Sequence, residues 1–171
     1  VDRLGPNAVC LGHTCIGVEQ DATGVTARFD DVPEQRGRIA LAYDGFHSAV
    51  RRQFYPDEGA PQFGGINMWR GVTRRKPFLT GASVTRVGTI KIGKMVVYAI
   101  RNFDDGTQLI NWNTEQPRHD QKLNDWATPG RIEDFIEPFA GWTFEWLDIP
   151  QLIADADFIL EYPMVDRDPV N

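Results

Sequence analysis

Apolar and polar residues alternate through the first part of the chain, and the period then changes. The runs "AVCLGHTCIGVEQ" (8–20) and "GVTARFDD" (24–31) are separated by Asp21–Thr23, and "GRIALAY" (37–43) follows the polar stretch 31–36. This pattern predicts two paired strands and a third apolar strand. In "FHSAVRRQFY" the apolar positions Phe46, Val50 and Phe54 recur every four residues, and Pro56 follows. A short helix is expected there. Asp44 and Gly45 therefore sit where a strand from Arg38 gives way to a helix carrying Ser48 and Arg51.

Strand patterning returns at 63–73, 84–92, 94–102 and 107–114, with glycine, lysine or Asp-Gly turns between the runs. Neighbouring, largely antiparallel strands are expected, with one face on a core and the other open to a ligand. Helices are predicted in "RHDQKLNDWA" and "RIEDFIEPFA", covering one face of that sheet over 119–139. After "WTFEWLDIP" come a short turn at Gln151–Ala154 and a last strand in "DFILEYPMV". The class is α+β, a mostly antiparallel sheet backed by helices.

Composition narrows the function classes. At 171 residues, 42% apolar and 25% charged, the chain has material for one real core. The net charge of −6 is uneven: residues 1–100 sum to +4 and residues 101–171 to −10. That polarity argues against nucleic-acid binding by the whole chain and leaves room for an anionic ligand near the first part. No apolar run spans a bilayer and no leader reads as a signal peptide, so a soluble, cytoplasmic protein without a membrane partner is expected. Cys10 and Cys15 are an odd number of positions apart, which sends their side chains to opposite faces of a strand and argues against a disulfide. His13, His47 and His119 show no metal-ligand spacing with the cysteines or acids, and no metal site is assigned.

Asp-Gly is an ordinary strand-ending pair, since glycine accepts positive φ and aspartate bonds its own backbone. A strand-to-helix junction also points backbone N–H groups at one spot, which suits phosphate. Arg74, Arg75 and Lys76 form a basic cluster that reads first as a solvated turn. Asp166, Arg167 and Asp168 read as a salt-bridged clasp at the end of the last strand. Ser48 lies in "HSA" and not in G-x-S-x-G, so hydrolysis is not indicated and no catalytic residue is assigned.

Taken together and in this order, "YDGFHSAVRRQFYPDEG", "FGGINMWRGVT", "LINW" and "YPMVDRDPV" resemble the FAD-dependent aromatic monooxygenases, single-component flavoprotein hydroxylases that include salicylate and phenazine-modifying enzymes. The resemblance implies that Asp44, Gly45, Ser48 and Arg51 lie near the FAD pyrophosphate and the nicotinamide route. Two features depart from the family: Ala42 and Tyr43 stand where it usually has Gly-Ala, and neither its GxGxxG turn nor its second, Gly-Asp motif is present. The resemblance thus implies the middle of a longer flavoprotein, with 1–60 a margin of the FAD-binding domain and 61–171 the substrate-binding domain.

The implied chemistry is hydroxylation of an aromatic small molecule by a flavin C4a-hydroperoxide, using FAD and NAD(P)H, with the protein supplying shape and water exclusion. A sheet face with aromatic residues and polar anchors suits that task, and Trp69, Arg70, Tyr98, Asn111 and Trp112 are the candidates. Trp69 and Arg70 are neighbours on one strand, so at most one of them faces a pocket. By itself the chain is expected to be inactive, to retain no FAD, and to expose an apolar surface for the missing FAD-domain segments, which favours self-association. The alternative is a stand-alone module that binds an aromatic ligand or a protein partner without redox chemistry.

Overall fold

The computed structural model describes Gly5 and residues 8–118 and 128–170. The chain divides into two compact units, Val1–Ala60 with Asp168–Asn171, and Pro61–Arg167.

In the first unit β1 (Cys15–Asp21) and β2 (Gly24–Phe29) pair antiparallel across a tight turn. The Asp21 carboxylate accepts the backbone N–H of Thr23 at 2.7 Å and of Gly24 at 3.1 Å, so the turn is closed by its own first residue. Arg36 adds a two-oxygen contact to Asp21 at 2.8 and 2.9 Å from β3 (Gln35–Gly37), the edge strand beside β2. Those bonds hold the Asp21 carboxyl well below the usual carboxylate range, Arg36 contributing most and Thr23 next. Cys10 lies before β1, and both cysteine thiols are free.

The apolar strand expected over 37–43 does not form. The ladder ends at Gly37, and Ile39, Leu41 and Tyr43 are exposed at 79%, 75% and 91%. An alternating apolar run becomes a strand only when a neighbouring ladder and an apolar face receive it. In this unit Gln35–Gly37 already occupies the free edge of β2. Asp44 and Gly45 consequently follow an irregular segment and not a strand. The helix does form as α1 (Ala49–Phe54), capped by Ser48, whose hydroxyl accepts the Arg51 backbone N–H at 2.8 Å.

The second unit is a six-stranded antiparallel sheet in the order β5-β6-β7-β4-β11-β8. Its strands are β4 (Gln62–Arg75), β5 (Val84–Thr89), β6 (Gly93–Asn102), β7 (Gln108–Pro117), β8 (Thr128–Pro129) and β11 (Phe158–Asp166). The four central runs are neighbours as the alternation predicts. Their order departs from a plain meander: β4 crosses over to pair with β7, a Greek-key arrangement. This crossover makes β4 a central strand, and Gly71 lets it pass close to β7 and β11. A Cβ at Gly71 would overlap the Trp112 indole and lie 2.9 Å from the Phe158 carbonyl oxygen.

One face of the sheet carries the core. Trp69, Thr73, Met95, Val97, Ile110 and Trp112 stand on it and meet Phe135, Phe139, Leu147, Ile149, Leu152 and Ile153 from the C-terminal segment. The helix expected over "RIEDFIEPFA" is replaced by two 3-10 turns, Ile132–Asp134 and Glu137–Phe139. Pro138 has no N–H to continue an α ladder, so the chain restarts, and the two turns deliver Phe135 and Phe139 to the core. The helix expected over "RHDQKLNDWA" lies outside the described residues apart from Arg118.

A two-residue hairpin, β9 (Thr143–Phe144) and β10 (Leu147–Asp148), leads into α2 (Ile149–Ala154), where the sequence pattern predicts only a turn. Asp148 caps this helix by accepting the Gln151 N–H at 2.9 Å, and Pro150 fits its first turn. Ile149, Leu152 and Ile153 then fall on one buried stripe.

Candidate functional site

The sheet register separates the candidate residues of the second unit. Trp69 and Trp112 point into the core and are fully buried. The Trp69 ring stacks on Phe135 at 5.1 Å, and the Trp112 indole N–H donates to the Thr73 hydroxyl at 3.1 Å, which itself donates to the Leu152 carbonyl at 2.7 Å. Both tryptophans hold the sheet to the segment that covers it.

Arg70, Tyr98 and Asn111 stand on the opposite face. Asn111 is cross-strand neighbour to Tyr98 on β6 and to Val72 on β4, while Arg70 faces Asn113 on β7 and Leu160 on β11. Arg70 and Asn111 are therefore diagonal neighbours, a relation that puts backbones about 7–8 Å apart. Among the described residues, no member of the core cluster lies on this face. It is nevertheless densely lined: Asn111, Asn113 and Glu115 are 6%, 8% and 8% exposed. Lys94 donates to both Glu115 oxygens at 2.7 Å, so that charge pair is internally satisfied. Arg70 Nε and Asn111 Nδ2 are buried and have no hydrogen-bond partner among the described residues. A buried donor without an acceptor is costly, and on the core side the Trp69 indole N–H stands in the same position among the described residues.

Asn113, Glu115 and Lys94 belong to this face without any motif that announces them. Their signal is the period of two in "LINWNTE": 109, 111, 113 and 115 share one face, and Ile110, Trp112 and Thr114 take the core. The basic cluster lies at one end of β4, where Arg74 pairs with Asp105 at 2.7 Å and lies over the Phe103 ring, 4.1 Å from its centroid.

In the first unit Asp44, Gly45, Ser48 and Arg51 do come together, as a local turn and cap. Gly45 has φ +77°, and its carbonyl accepts the Ser48 N–H at 3.1 Å. Asp44 accepts from the Ser48 hydroxyl and from the Val50 N–H at 3.4 Å, and these bonds, Ser48 foremost, hold its carboxyl below the ordinary value. The Arg51 guanidinium forks onto the Glu58 carboxylate, with Nε at 2.9 Å from both oxygens, and also donates to the Asp168 carbonyl at 3.2 Å. Glu58 is thus a partner that the motif alone does not disclose. At the end of the last strand the Asp166 carboxylate accepts the Arg167 backbone N–H at 2.7 Å.

No protein-family model matches the chain. A phenazine 1,6-dicarboxylic acid hydroxylase of Lysobacter antibioticus is 33% identical over 180 residues, which cover 99% of this chain and 44% of that protein. A 3-amino-4-hydroxybenzoate 2-monooxygenase of Streptomyces platensis is 28% identical over 175 residues, covering all of this chain and 41% of the relative. Among solved structures, a salicylate hydroxylase substrate complex matches 99% of this chain and 44% of its own, with a TM-score of 0.63 at 21% identity. The 2,6-dihydroxypyridine-3-hydroxylase of Arthrobacter nicotinovorans matches all of this chain and 48% of its own, with a TM-score of 0.66 at 16% identity. The chain spans less than half the length of these relatives. Along its whole described course it is similar to a portion of the FAD-dependent aromatic monooxygenases, in sequence to the phenazine and aminohydroxybenzoate enzymes and in fold to the salicylate and pyridine hydroxylases.

Proposed function

We propose that the chain is the substrate-binding portion, with a margin of the cofactor-binding portion, of a monooxygenase that hydroxylates an aromatic small molecule with FAD and NAD(P)H. Residues 1–60 are read as the cofactor margin and 61–171 as the substrate-binding part. What carries the reading is the half-polar sheet face: buried donors at Arg70 and Asn111 beside Tyr98, on a fold whose sequence relatives are aromatic hydroxylases.

In this reading Arg70, Tyr98 and Asn111 line the substrate's side of the sheet. Trp69 and Trp112 act behind them as the rigid backing that fixes their strands. A buried, strand-borne anchor loses little entropy when it binds, which suits orientation of a flat ring.

The first unit fits a margin of an FAD site and not a whole one. Gly45 is open, with no atom within 4 Å of a Cβ built there, so an anionic group can approach its backbone. Arg51 is already forked onto Glu58, and its contribution is to brace the turn that presents Asp44, Gly45 and Ser48. When bound, FAD reduced by NAD(P)H supplies the oxygen-activating chemistry. The chain's own part is to hold and orient the ring and to keep water from it.

The test uses the complete natural chain, purified and supplied with FAD. Retained flavin after desalting, and NAD(P)H consumption that rises when an aromatic acid is added, are the expected results. A protein that retains no flavin and consumes no NAD(P)H with any aromatic acid contradicts the proposal.

A further inference from the structure

We infer that Gln53 is a positioning residue for the cofactor margin: it fastens α1 to the edge of the first sheet, and through α1 it sets the Asp44–Gly45 turn. The inference rests on the hydroxylase reading above and adds two residues, Gln53 and Gly17, that lie outside the Asp-Gly, serine and arginine pattern.

α1 is six residues long and has no buried side chain. A helix that short is not stable in water by itself, and helices in proteins are held mainly by a packed apolar face. Polar fastenings therefore set its place. Ser48 caps it, and Arg51 reaches Glu58 and the Asp168 carbonyl, neither of which belongs to the sheet. Among the described residues, the side-chain bonds that join α1 to the sheet are those of Gln53. Its Nε2 donates to the Val18 carbonyl at 2.6 Å, and its Oε1 accepts the Val18 N–H at 2.9 Å.

This is the pair that a neighbouring strand would make. β1 is an edge strand, and Val18 turns its backbone N–H and C=O outward to Gln53. A side-chain amide carries a donor and an acceptor side by side, so one residue closes both groups. Gly17 makes room for it: a Cβ there would lie 2.9 Å from Gln53 Oε1. The φ of Gly17 is not in the left-handed region, so what this glycine supplies is space.

From Gln53 the path to the turn is short, because Ser48 stands about 7.5 Å away along the helix axis. The Ser48 N–H donates to the Gly45 carbonyl at 3.1 Å, and its hydroxyl donates to the Asp44 carboxylate. A shift of α1 against β1 therefore moves Gly45, whose open backbone an anionic group can approach. Without the Gln53 pair the turn still forms, but its place on the sheet is not fixed, and binding then includes the cost of ordering α1.

The experiment measures FAD affinity of the complete natural chain by flavin fluorescence titration, together with amide hydrogen exchange in β1, β2 and α1. Gln53→Ala is expected to weaken FAD at least about threefold and to speed exchange in α1 while β1 and β2 stay protected. Gly17→Ala pushes the amide off Val18 and is expected to do the same. Added to Gln53→Ala it is expected to change nothing more, since both act through one contact. Asp21→Asn loosens the β1–β2 turn without touching α1 and is expected to leave FAD affinity unchanged, an outcome that a general loss of stability in the first unit would not give. Unaltered FAD affinity in Gln53→Ala, additive losses in the double variant, or an equal loss in Asp21→Asn overturns the positioning role and leaves the hydroxylase reading standing. Where Gln53→Ala does not fold, Gly17→Ala decides by the same threefold criterion. A natural chain that binds no FAD overturns the two together.

Discussion

The two units differ most in what they bury. Among the described residues, twelve of the thirteen buried hydrophobic side chains belong to the second unit, and Val18 is the one in the first. The second unit closes a sheet face with its own C-terminal segment. The first leaves Leu11, Ile39, Leu41 and Tyr43 exposed and relies on polar fastenings: Arg36 on Asp21, Gln53 on the Val18 backbone at 2.6 and 2.9 Å, and Arg51 on Glu58. Exposed apolar side chains with little core behind them are what a surface made to be covered would present. This contrast supports the proposal that the first unit is a margin of a larger cofactor-binding structure, and that the second is the part with a core of its own.

The contrast can be broken most strongly at α2. Leu152→Ala removes a fully buried side chain from the core of the second unit and is expected to cost about 2–5 kcal/mol in chemical denaturation. Leu41→Ser, at an exposed position of the first unit, is expected to change stability by no more than about 0.5 kcal/mol. Similar losses from the two variants would erase the difference between the units.

Gly71→Ala follows, because the added methyl meets the Trp112 ring and the Phe158 carbonyl at the centre of the sheet. A loss of about 1–3 kcal/mol is expected from such overpacking, read as a lower denaturation midpoint. Thr73→Val keeps the shape but leaves the Trp112 indole N–H without its acceptor, and about 1–3 kcal/mol is expected by the same measurement.

The smallest effect is on the first unit and depends on pH. The Asp21 carboxyl is depressed in the folded state, so its contribution is present above the ordinary carboxylate range and is lost as pH falls through the folded value. Melting curves recorded at neutral pH and at about pH 2 should show a larger pH dependence for the natural chain than for Asp21→Asn. Identical pH dependence would mean that Arg36 and the turn do not draw on the ionised form.

Much of this is legible in the sequence, for reasons that differ by region. The four central strands follow from alternation alone, because each has one face on a core. The β4 crossover is not legible, since strand order depends on pairing between distant segments and Gly71 gives no local hint of its two neighbours. The apolar pattern of 37–43 misleads in the opposite sense: the local preference is for a strand, but no ladder receives it. α2 escapes notice although Asp148, Pro150 and the Ile149, Leu152, Ile153 spacing all announce it, because a six-residue helix looks like a turn. At the candidate site, alternation separates Trp69 from Arg70, yet only the register shows that Trp112 joins Trp69 in the core while Tyr98 and Asn111 join Arg70. Glu58 is seven residues from Arg51, on the far side of a proline, and no spacing rule links them.

Oxygen transfer is the most direct measure of the central claim. The complete natural chain, loaded with FAD and given NAD(P)H and an aromatic carboxylic acid under 18O2, is expected to yield a hydroxylated ring carrying one 18O atom, detected by mass spectrometry. Flavin-loaded protein that leaves a panel of such acids unlabelled, and releases only peroxide, would contradict the account.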